Sequence, residues 1–303
     1  MRFLALLMTL VLFPMLFTSC SSTQETTDAQ KKADIYYSHG TSKLLSKNYT
    51  EALDLMLKAE DLDPKNSSIQ NNLGMAYYFK GRYKEAEEHL KASLEIDPKN
   101  SDARNNLASL FFVSKRYGDA KKEYQKVAAD LIYQHQYRTY FNLALIALTE
   151  RNQNEALQLL NKSIREKSDY CSAHFKIGEI LREKRQLSNA LESFKEASMG
   201  VCYNQPGPIF EQAITYAMMK KYTKAEEKYQ EIIDRFAKTA YAPLASLELG
   251  KIRKDMSNKD QKSSVAKNSK SKIYRDLQNR QQRASDSDDD LDREMEVYET
   301  PKF

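Results

Sequence analysis

Tryptophan is absent from this 303-residue chain, histidine occurs 4 times and cysteine 3 times. The 8 glycines and 7 prolines make up about 5% of the residues, against roughly 12% in an average protein. An all-β sandwich or barrel needs a turn every few residues, and that shortage excludes it. Neither sign of charge dominates: 47 basic against 42 acidic side chains leave +5, which is too little for a dedicated nucleic-acid binder. The sequence also lacks a phosphate-binding glycine loop, a His-Glu-x-x-His pair and a nucleophile elbow. His39, His89, His135 and His174 are scattered, with no pair at metal-ligand spacing. Acidic pairs such as Glu87-Glu88 and Glu226-Glu227 read as solvated faces. No catalytic residue, metal site or cofactor is expected, and the chain reads as a non-enzyme.

Long hydrophobic runs are also scarce, and the one present is at the amino terminus. After Met1-Arg2, Phe3 to Phe17 is nearly continuous and apolar, followed by Thr18, Ser19 and Cys20. About 15 residues are too few for the ~20 of a spanning helix, and Pro14 interrupts them, so the run reads as a secretory h-region. With a cysteine directly after small residues, it resembles a bacterial lipoprotein signal. That resemblance implies a signal peptide over 1–19, cleavage before Cys20 and acylation of Cys20, which anchors the protein to a membrane. Ser21 after the cysteine implies sorting to the outer membrane, on its periplasmic face. An ordinary signal peptide with an incidental cysteine is the alternative. Residues 20–32 carry almost no apolar surface beyond the acylated cysteine and read as a flexible tether.

What the chain has in quantity is internal repetition. Ala52, Ala86, Ala120, Ala156, Ala190 and Ala225 recur in similar contexts such as Tyr83-Lys-Glu-Ala86 and Tyr117-Gly-Asp-Ala120. The interval of about 34 residues is the period of the tetratricopeptide repeat (TPR). Six repeats are read at 33–66, 67–100, 101–136, 137–170, 171–205 and 206–238. Position 8 of each is small (Gly40, Gly74, Ala108, Ala144, Gly178, Ala213), as close approach of two helices requires. Position 24 is large (Met56, Leu90, Tyr124, Leu160, Phe194, Tyr229). The usual tryptophan at position 4 is replaced by Tyr36, Gln70, Arg104, Tyr140, His174 and Ile209. Pro64 and Pro98 close the first two repeats. The expected fold is all-α: a TPR solenoid of about six helix-turn-helix repeats, with a capping helix over 239–256. The charged residues 257–303 are expected to be a disordered tail, basic up to Arg283 and acidic from Asp286.

With Cys20 set aside, Cys171 and Cys202 remain as an even pair in an exported chain. They stand at the start of the first helix of repeat five and just past the end of its second. Antiparallel helices of similar length bring those points close, so one disulfide is expected. Buried free thiols and a redox pair are the alternatives.

A solenoid of this kind offers a groove. Positions 2, 5, 9, 12 and 13 of the first helices line its wall and supply Tyr37, Leu44, Met75, Tyr78, Phe79, Phe112, Phe141, Leu145 and Phe175, with Leu45, Leu148, Phe210, Ile214 and Met218 extending the series. So many apolar side chains facing an open channel imply a protein partner. Asn72, Asn106 and Asn142 fall at position 6 of consecutive repeats and are read as a ladder that bonds the backbone of an extended peptide. The alternative is that the aromatics pack against one another in a tightly wound array. Tyr37, Thr41, Asp102 and Asn106 occupy the positions where TPR co-chaperones place a basic carboxylate clamp, so that clamp is not expected.

An acylated, exported chain with about six such repeats resembles the type IV pilus pilotins (the PilF/PilW/Tgl family). The local likeness runs from Asn105-Asn106 through Lys115-Arg116-Tyr117 and across the irregular junction Leu131-Ile132-Tyr133. The resemblance covers residues 33–236 and implies a scaffold that escorts a secretin, the ring-forming outer-membrane channel of the pilus. An adaptor for cell-wall enzymes or outer-membrane protein assembly, and an enzyme-linked or lipid-carrying protein whose groove holds a small apolar ligand, are the other expectations.

Overall fold

This computed structural model describes residues 27–262. The signal segment, Cys20, the first part of the tether and residues 263–303 of the tail lie outside the described residues. Within them the chain forms thirteen α-helices and one short 3-10 turn, with no strand. The helices pair as α1 (Asp28–Leu45) with α2 (Tyr49–Leu62), α3 (Ser67–Phe79) with α4 (Tyr83–Ile96), and α5 (Ser101–Val113) with α6 (Tyr117–Ala128). The series continues with α7 (Gln136–Thr149) and α8 (Gln153–Glu166), α9 (Cys171–Glu183) and α10 (Leu187–Ala197), then α11 (Pro206–Met218) and α12 (Tyr222–Arg235). A last helix, α13 (Tyr241–Lys262), packs on α12 and α11 and takes the place that the first helix of a seventh hairpin would hold. Each second helix packs on the first helix of the next hairpin, and α1 also touches α3, α3 touches α5 and α5 touches α7, so the hairpins form a continuous stack.

Local chemistry sets the boundaries. Asn48, Asn66, Asn100 and Asn152 are N-caps whose side chains accept from backbone N–H groups of the first turn, which satisfies donors that have no intrahelical partner. Thr27 and Gln30 form a reciprocal capping box. That box starts α1 at Asp28, so the tether expected to reach residue 32 is shorter than the composition implies. At the other end α13 begins at Tyr241 and runs to Lys262. It therefore starts two residues after the expected cap and enters the segment assigned to the tail. No glycine or proline interrupts Lys251–Lys262, so nothing in the backbone stops the helix from propagating.

The turn inside every hairpin is the same left-handed cap. Lys47, Gly81, Lys115, Arg151, Arg185 and Lys220 all have φ between 58° and 73°. In each case the next N–H returns to a carbonyl five residues back: Asn48 to Lys43, Arg82 to Tyr77, Arg116 to Phe111, Asn152 to Ala147, Gln186 to Leu181 and Lys221 to Tyr216. These are Schellman closures, in which glycine is the usual residue. Five of the six sites carry lysine or arginine instead, whose charge complements the carboxyl end of the preceding helix.

Between hairpins the missing tryptophan is replaced by polar hooks. Gln70, Arg104 and His174 each place a ring or side-chain nitrogen on a carbonyl six residues earlier: Pro64 at 3.3 Å, Pro98 at 2.6 Å and Ser168 at 2.8 Å. Cys171, the first residue of α9, is disulfide-bonded to Cys202 in the 3-10 turn Gly200–Cys202, with Cα atoms 6.3 Å apart. The two cysteines are 31 residues apart in sequence, and closing a loop of that length stabilises the folded chain by about 3–4 kcal/mol.

The core is a series of layers, each closed by a small residue against a large one. A Cβ at Gly74 would lie 2.6 Å from Leu90 Cγ, and one at Gly178 would lie 2.6 Å from the ring of Phe194. Phe194 and Leu90 are fully buried and have no room to withdraw. Replacing Gly178→Ala is therefore expected to cost on the order of 1–3 kcal/mol, read as a lower urea midpoint with an unchanged helical spectrum at zero denaturant.

Candidate partner-binding surface

The residues read from the sequence as one groove divide into three groups. Tyr78 and Phe112 are half-buried and Phe79 is 40% exposed, all at the carboxyl ends of α3 and α5. Tyr37 and Leu44 on α1 and Asn72 on α3 are also half-buried. Met75, Asn106, Phe141, Asn142, Leu145 and Phe175, by contrast, are buried, with Phe141 and Asn142 at 0% exposure. These six do not line an open channel. Successive hairpins wind closely enough that the position 5 side chains of repeats four and five, and Leu145 at position 9 of repeat four, pack inside the stack, where Phe141 meets Tyr170 and Phe175 meets Phe194 edge to face.

The asparagines prove to be internal fastenings. Asn106 Nδ2 donates to Asn71 Oδ1 at 2.9 Å, Asn71 Nδ2 to Asn72 Oδ1 at 3.1 Å, and Asn72 Nδ2 to Thr41 Oγ1 at 2.9 Å. Thr41 donates in turn to the Tyr37 carbonyl. One relay of amides therefore crosses from α5 through α3 to α1. A buried amide left without partners is costly, and here each finds its partner on a neighbouring helix of the chain. Asn142 bonds the hydroxyl of fully buried Tyr124, which Ser109 also contacts at 2.7 Å. The expected peptide ladder is corrected accordingly. At the same position in repeats five and six stand Lys176 and Glu211, held in ion pairs with Glu179 at 2.8 Å and with Arg182. The inner wall thus changes from amide to ionic along the array.

What remains accessible is a run of rings at the hairpin-turn ends of the first three repeats. Phe79 stacks on Tyr49 with centroids 4.6 Å apart, Tyr78 meets Phe79 at 5.2 Å and Tyr83 at 5.6 Å, and Phe112 meets Tyr117 at 5.3 Å. The ring-on-ring packing is real but leaves Phe79 and Tyr83 more than a third exposed. Phe79 also forms one side of a cleft of about 400 Å³ whose other walls are Tyr137, Arg138, Lys167, Asp169, Tyr170, Ser172 and the Cys171–Cys202 disulfide with Val201. Lys167 lies over the Tyr137 ring and Arg138 donates to the Tyr137 hydroxyl at 3.0 Å. The cleft therefore combines aromatic walls with two cations and one carboxylate, Asp169. Burial raises the pKa of the Tyr170 hydroxyl, which stays protonated.

The sequence reading missed the cleft because, apart from Phe79, its members stand at position 1 and on the interrepeat turns, or at position 2 with polar side chains (Arg138, Ser172) that a search for apolar groove residues passes over. It also passed over two apolar tips on those turns: Leu131 and Ile132 are 91% and 89% exposed, and Val201 is 77% exposed. Their signal was in the extra residues that precede repeats four and six. Among the described residues no cluster of histidine, cysteine, aspartate or glutamate is disposed to hold a metal, and no helix is long and apolar enough to cross a membrane.

His89, on α4, is a half-buried titratable group. Its Nδ1 lies 2.7 Å from Gln70 Oε1 and its ring stacks on Tyr77. Burial holds its pKa below the ordinary 6.5, although Glu60, Glu88 and Glu85 pull the other way. As pH falls below 6.5 the unfolded chain takes up this proton first, so stability declines until the folded pKa is passed. A His89→Gln variant is expected to lose stability less steeply between about pH 7 and pH 5 in parallel thermal melts. Asn106→Ala strands the Asn71 amide and is expected to lower stability by about 1–3 kcal/mol, in an equilibrium denaturation, while leaving partner binding intact.

Comparison with known proteins places this geometry. Family models of the tetratricopeptide repeat match residues 67–100, 137–170 and 209–239. No curated protein sequence matches the chain. Among solved structures, PilF of Pseudomonas aeruginosa is similar over 73% of this chain and 100% of its own, at 18% identity and a TM-score of 0.62. PilW, described as a widely conserved type IV pilus biogenesis factor, is similar over 70% of this chain and 97% of its own, at 17% identity and a TM-score of 0.62. The Cut9–Hcn1 assembly of the APC/C is similar over 73% of this chain and 43% of its own, at 14% identity and the same TM-score of 0.62. At these identities the likeness is one of fold: an all-helical TPR solenoid.

Proposed function

We propose that this chain is a non-catalytic TPR scaffold, held by an acylated Cys20 at the periplasmic face of the outer membrane, that binds a secretin subunit and promotes its placement and assembly for type IV pilus biogenesis. The observation that carries a protein-binding reading is the half-exposed aromatic run Tyr78, Phe79 and Phe112 with Tyr49, Tyr83 and Tyr117. Rings with one face packed and one face open are rigid anchors, because little side-chain freedom is lost when a partner covers them. The pilus assignment draws on the resemblance at Asn105–Tyr117 and at the Leu131-Ile132-Tyr133 junction. The likeness in fold to PilF and PilW, which covers nearly all of their chains and 70–73% of this one, is compatible with it. Membrane attachment draws on the apolar run ahead of Cys20.

On this reading the anchor holds the solenoid near the inner leaflet, and the short segment before Asp28 lets the rings reach a subunit that is about to insert. Covering apolar surface on that subunit prevents premature association and raises its concentration at the membrane.

The test replaces Tyr78, Phe79 and Phe112 together by alanine. Each ring truncation in an anchor position costs about 1–2 kcal/mol, so co-purification of the secretin is expected to fall by ~100-fold or more while the helical spectrum is kept. Heat-stable secretin multimers in the membrane fraction are expected to disappear with it. Unchanged multimers together with altered cell-wall cross-linking would instead assign the scaffold to a cell-wall adaptor role.

A further inference from the structure

Four residues make a regular interrepeat turn, as in Asp97-Pro98-Lys99-Asn100, whereas residues 129–135 separate α6 from α7. The extra length lifts Leu131 and Ile132 out of the stack, and both are almost fully exposed. A slack loop would fold such side chains back onto apolar neighbours. This one is braced in the outward position. Asp130 accepts the Ile132 N–H at 3.2 Å and the Ser101 hydroxyl through its carboxylate, and the Tyr133 N–H at 3.2 Å and the Gln136 amide through its carbonyl. The Tyr133 hydroxyl donates to Asp102 at 2.8 Å. Both carboxylates beside the tip are therefore engaged by the turn itself, and Lys99 borders it as well.

The same edge of the solenoid carries the beginning of α1. First helices run from the interrepeat turns toward the hairpin turns, so the Thr27 cap of α1 stands on the edge that bears Leu131 and Ile132. Thr27 follows Cys20 by seven residues, a reach of at most ~25 Å. An acylated Cys20 would hold this edge, and not the aromatic one, next to lipid. The tip itself suits that neighbour. Two side chains on a convex turn fall far short of the ~800 Å² that each partner contributes to a stable protein interface. They do fit among lipid headgroups, where apolar residues backed by a tyrosine are favoured.

We infer that Leu131 and Ile132 are a second, non-covalent membrane contact: they insert into the lipid surface that holds Cys20 and set the solenoid edge-on to it. The inference rests on the acyl-anchor reading above and adds an orientation to it. So small a contact does not retain a free protein, but a tether makes it an intramolecular event at high effective concentration. Edge-on docking leaves Tyr78, Phe79 and Phe112 at the far ends of the thirteen-residue helices α3 and α5. That is about 20 Å from the headgroups at 1.5 Å per residue, on the edge open to a partner. Val201, the exposed tip of another interrepeat turn, lines the cleft described above and is assigned to that cleft.

Because the chain contains no tryptophan, a single introduced indole reports on its own surroundings. The acylated full-length protein is placed on phosphatidylethanolamine–phosphatidylglycerol vesicles carrying Ile132→Trp, and in parallel carrying Ser114→Trp on the hairpin-turn edge. Emission from the Ile132→Trp protein is expected to shift to shorter wavelength and to fall ~2-fold or more in lipid brominated along the acyl chains. Emission from the Ser114→Trp protein is expected to change little. The quenching should persist at ~0.5 M salt, because an apolar contact is not screened. Adding Leu131→Asp to Ile132→Trp should abolish it while the protein still floats with the vesicles. An unquenched Ile132→Trp protein that floats would overturn the insertion and leave the anchor standing, whereas failure of the acylated protein to float would overturn both. Equal quenching at the two sites would mean that no edge is preferred. A concentration-dependent blue shift without vesicles would mean that a second copy covers the tip. Either of these results also overturns the proposal.

Discussion

Every hairpin in this molecule depends on one steric constraint: a residue with little or no side chain at position 8 faces a bulky one at position 24. Gly74 under Leu90 and Gly178 under Phe194 leave no space for even a methyl group. That proximity lets each pair of helices exclude water along a shared seam. It also fixes the angle at which one hairpin offers its outer face to the next. A repeat cannot bury that outer face alone, so the seam inside each hairpin sets the pitch of the entire array.

This constraint explains why the architecture was legible in the sequence. A small–large alternation at a fixed interval is a statement about backbone distance, and it survives the loss of the usual tryptophan because Gln70, Arg104 and His174 take over its place by bonding the preceding turn. The binding surface was less legible for a related reason. Position within a repeat identifies the face of a helix, but not how tightly the hairpins wind. Phe141 and Phe175 occupy the same register as Tyr37, yet they are buried while Tyr37 is half-exposed. Asn72 and Asn106 likewise have donors and acceptors suited to a bound peptide, and neighbouring helices of the chain consume them. Exposure depends on the neighbour two helices away, which no single repeat encodes. The start of α1 was misplaced on a smaller scale, because a polar composition concealed the Thr27–Gln30 cap.

The turn edge gathers these observations into a division of labour. Its amino-terminal half carries rings, whose faces are packed on one side and open on the other. Cations at left-handed caps, where glycine would be the unstrained choice, recur along both halves. The same backbone device serves both halves, since a Schellman turn projects whatever residue it holds away from the stack. The interior is unaffected by which chemistry is displayed there, so surface character varies from repeat to repeat while the seam stays constant.

The bridge between Cys171 and Cys202 has a mechanical corollary. In a linear array, melting proceeds from an end inward, one unit at a time, because each unit is braced only by those beside it. A covalent tie across the fifth hairpin acts as a firebreak: fraying that starts at α13 and consumes the sixth hairpin meets a segment that cannot unravel into open chain. The two ends of the molecule therefore differ in kinetic character, and the rings near the amino terminus are insulated from events at the opposite pole.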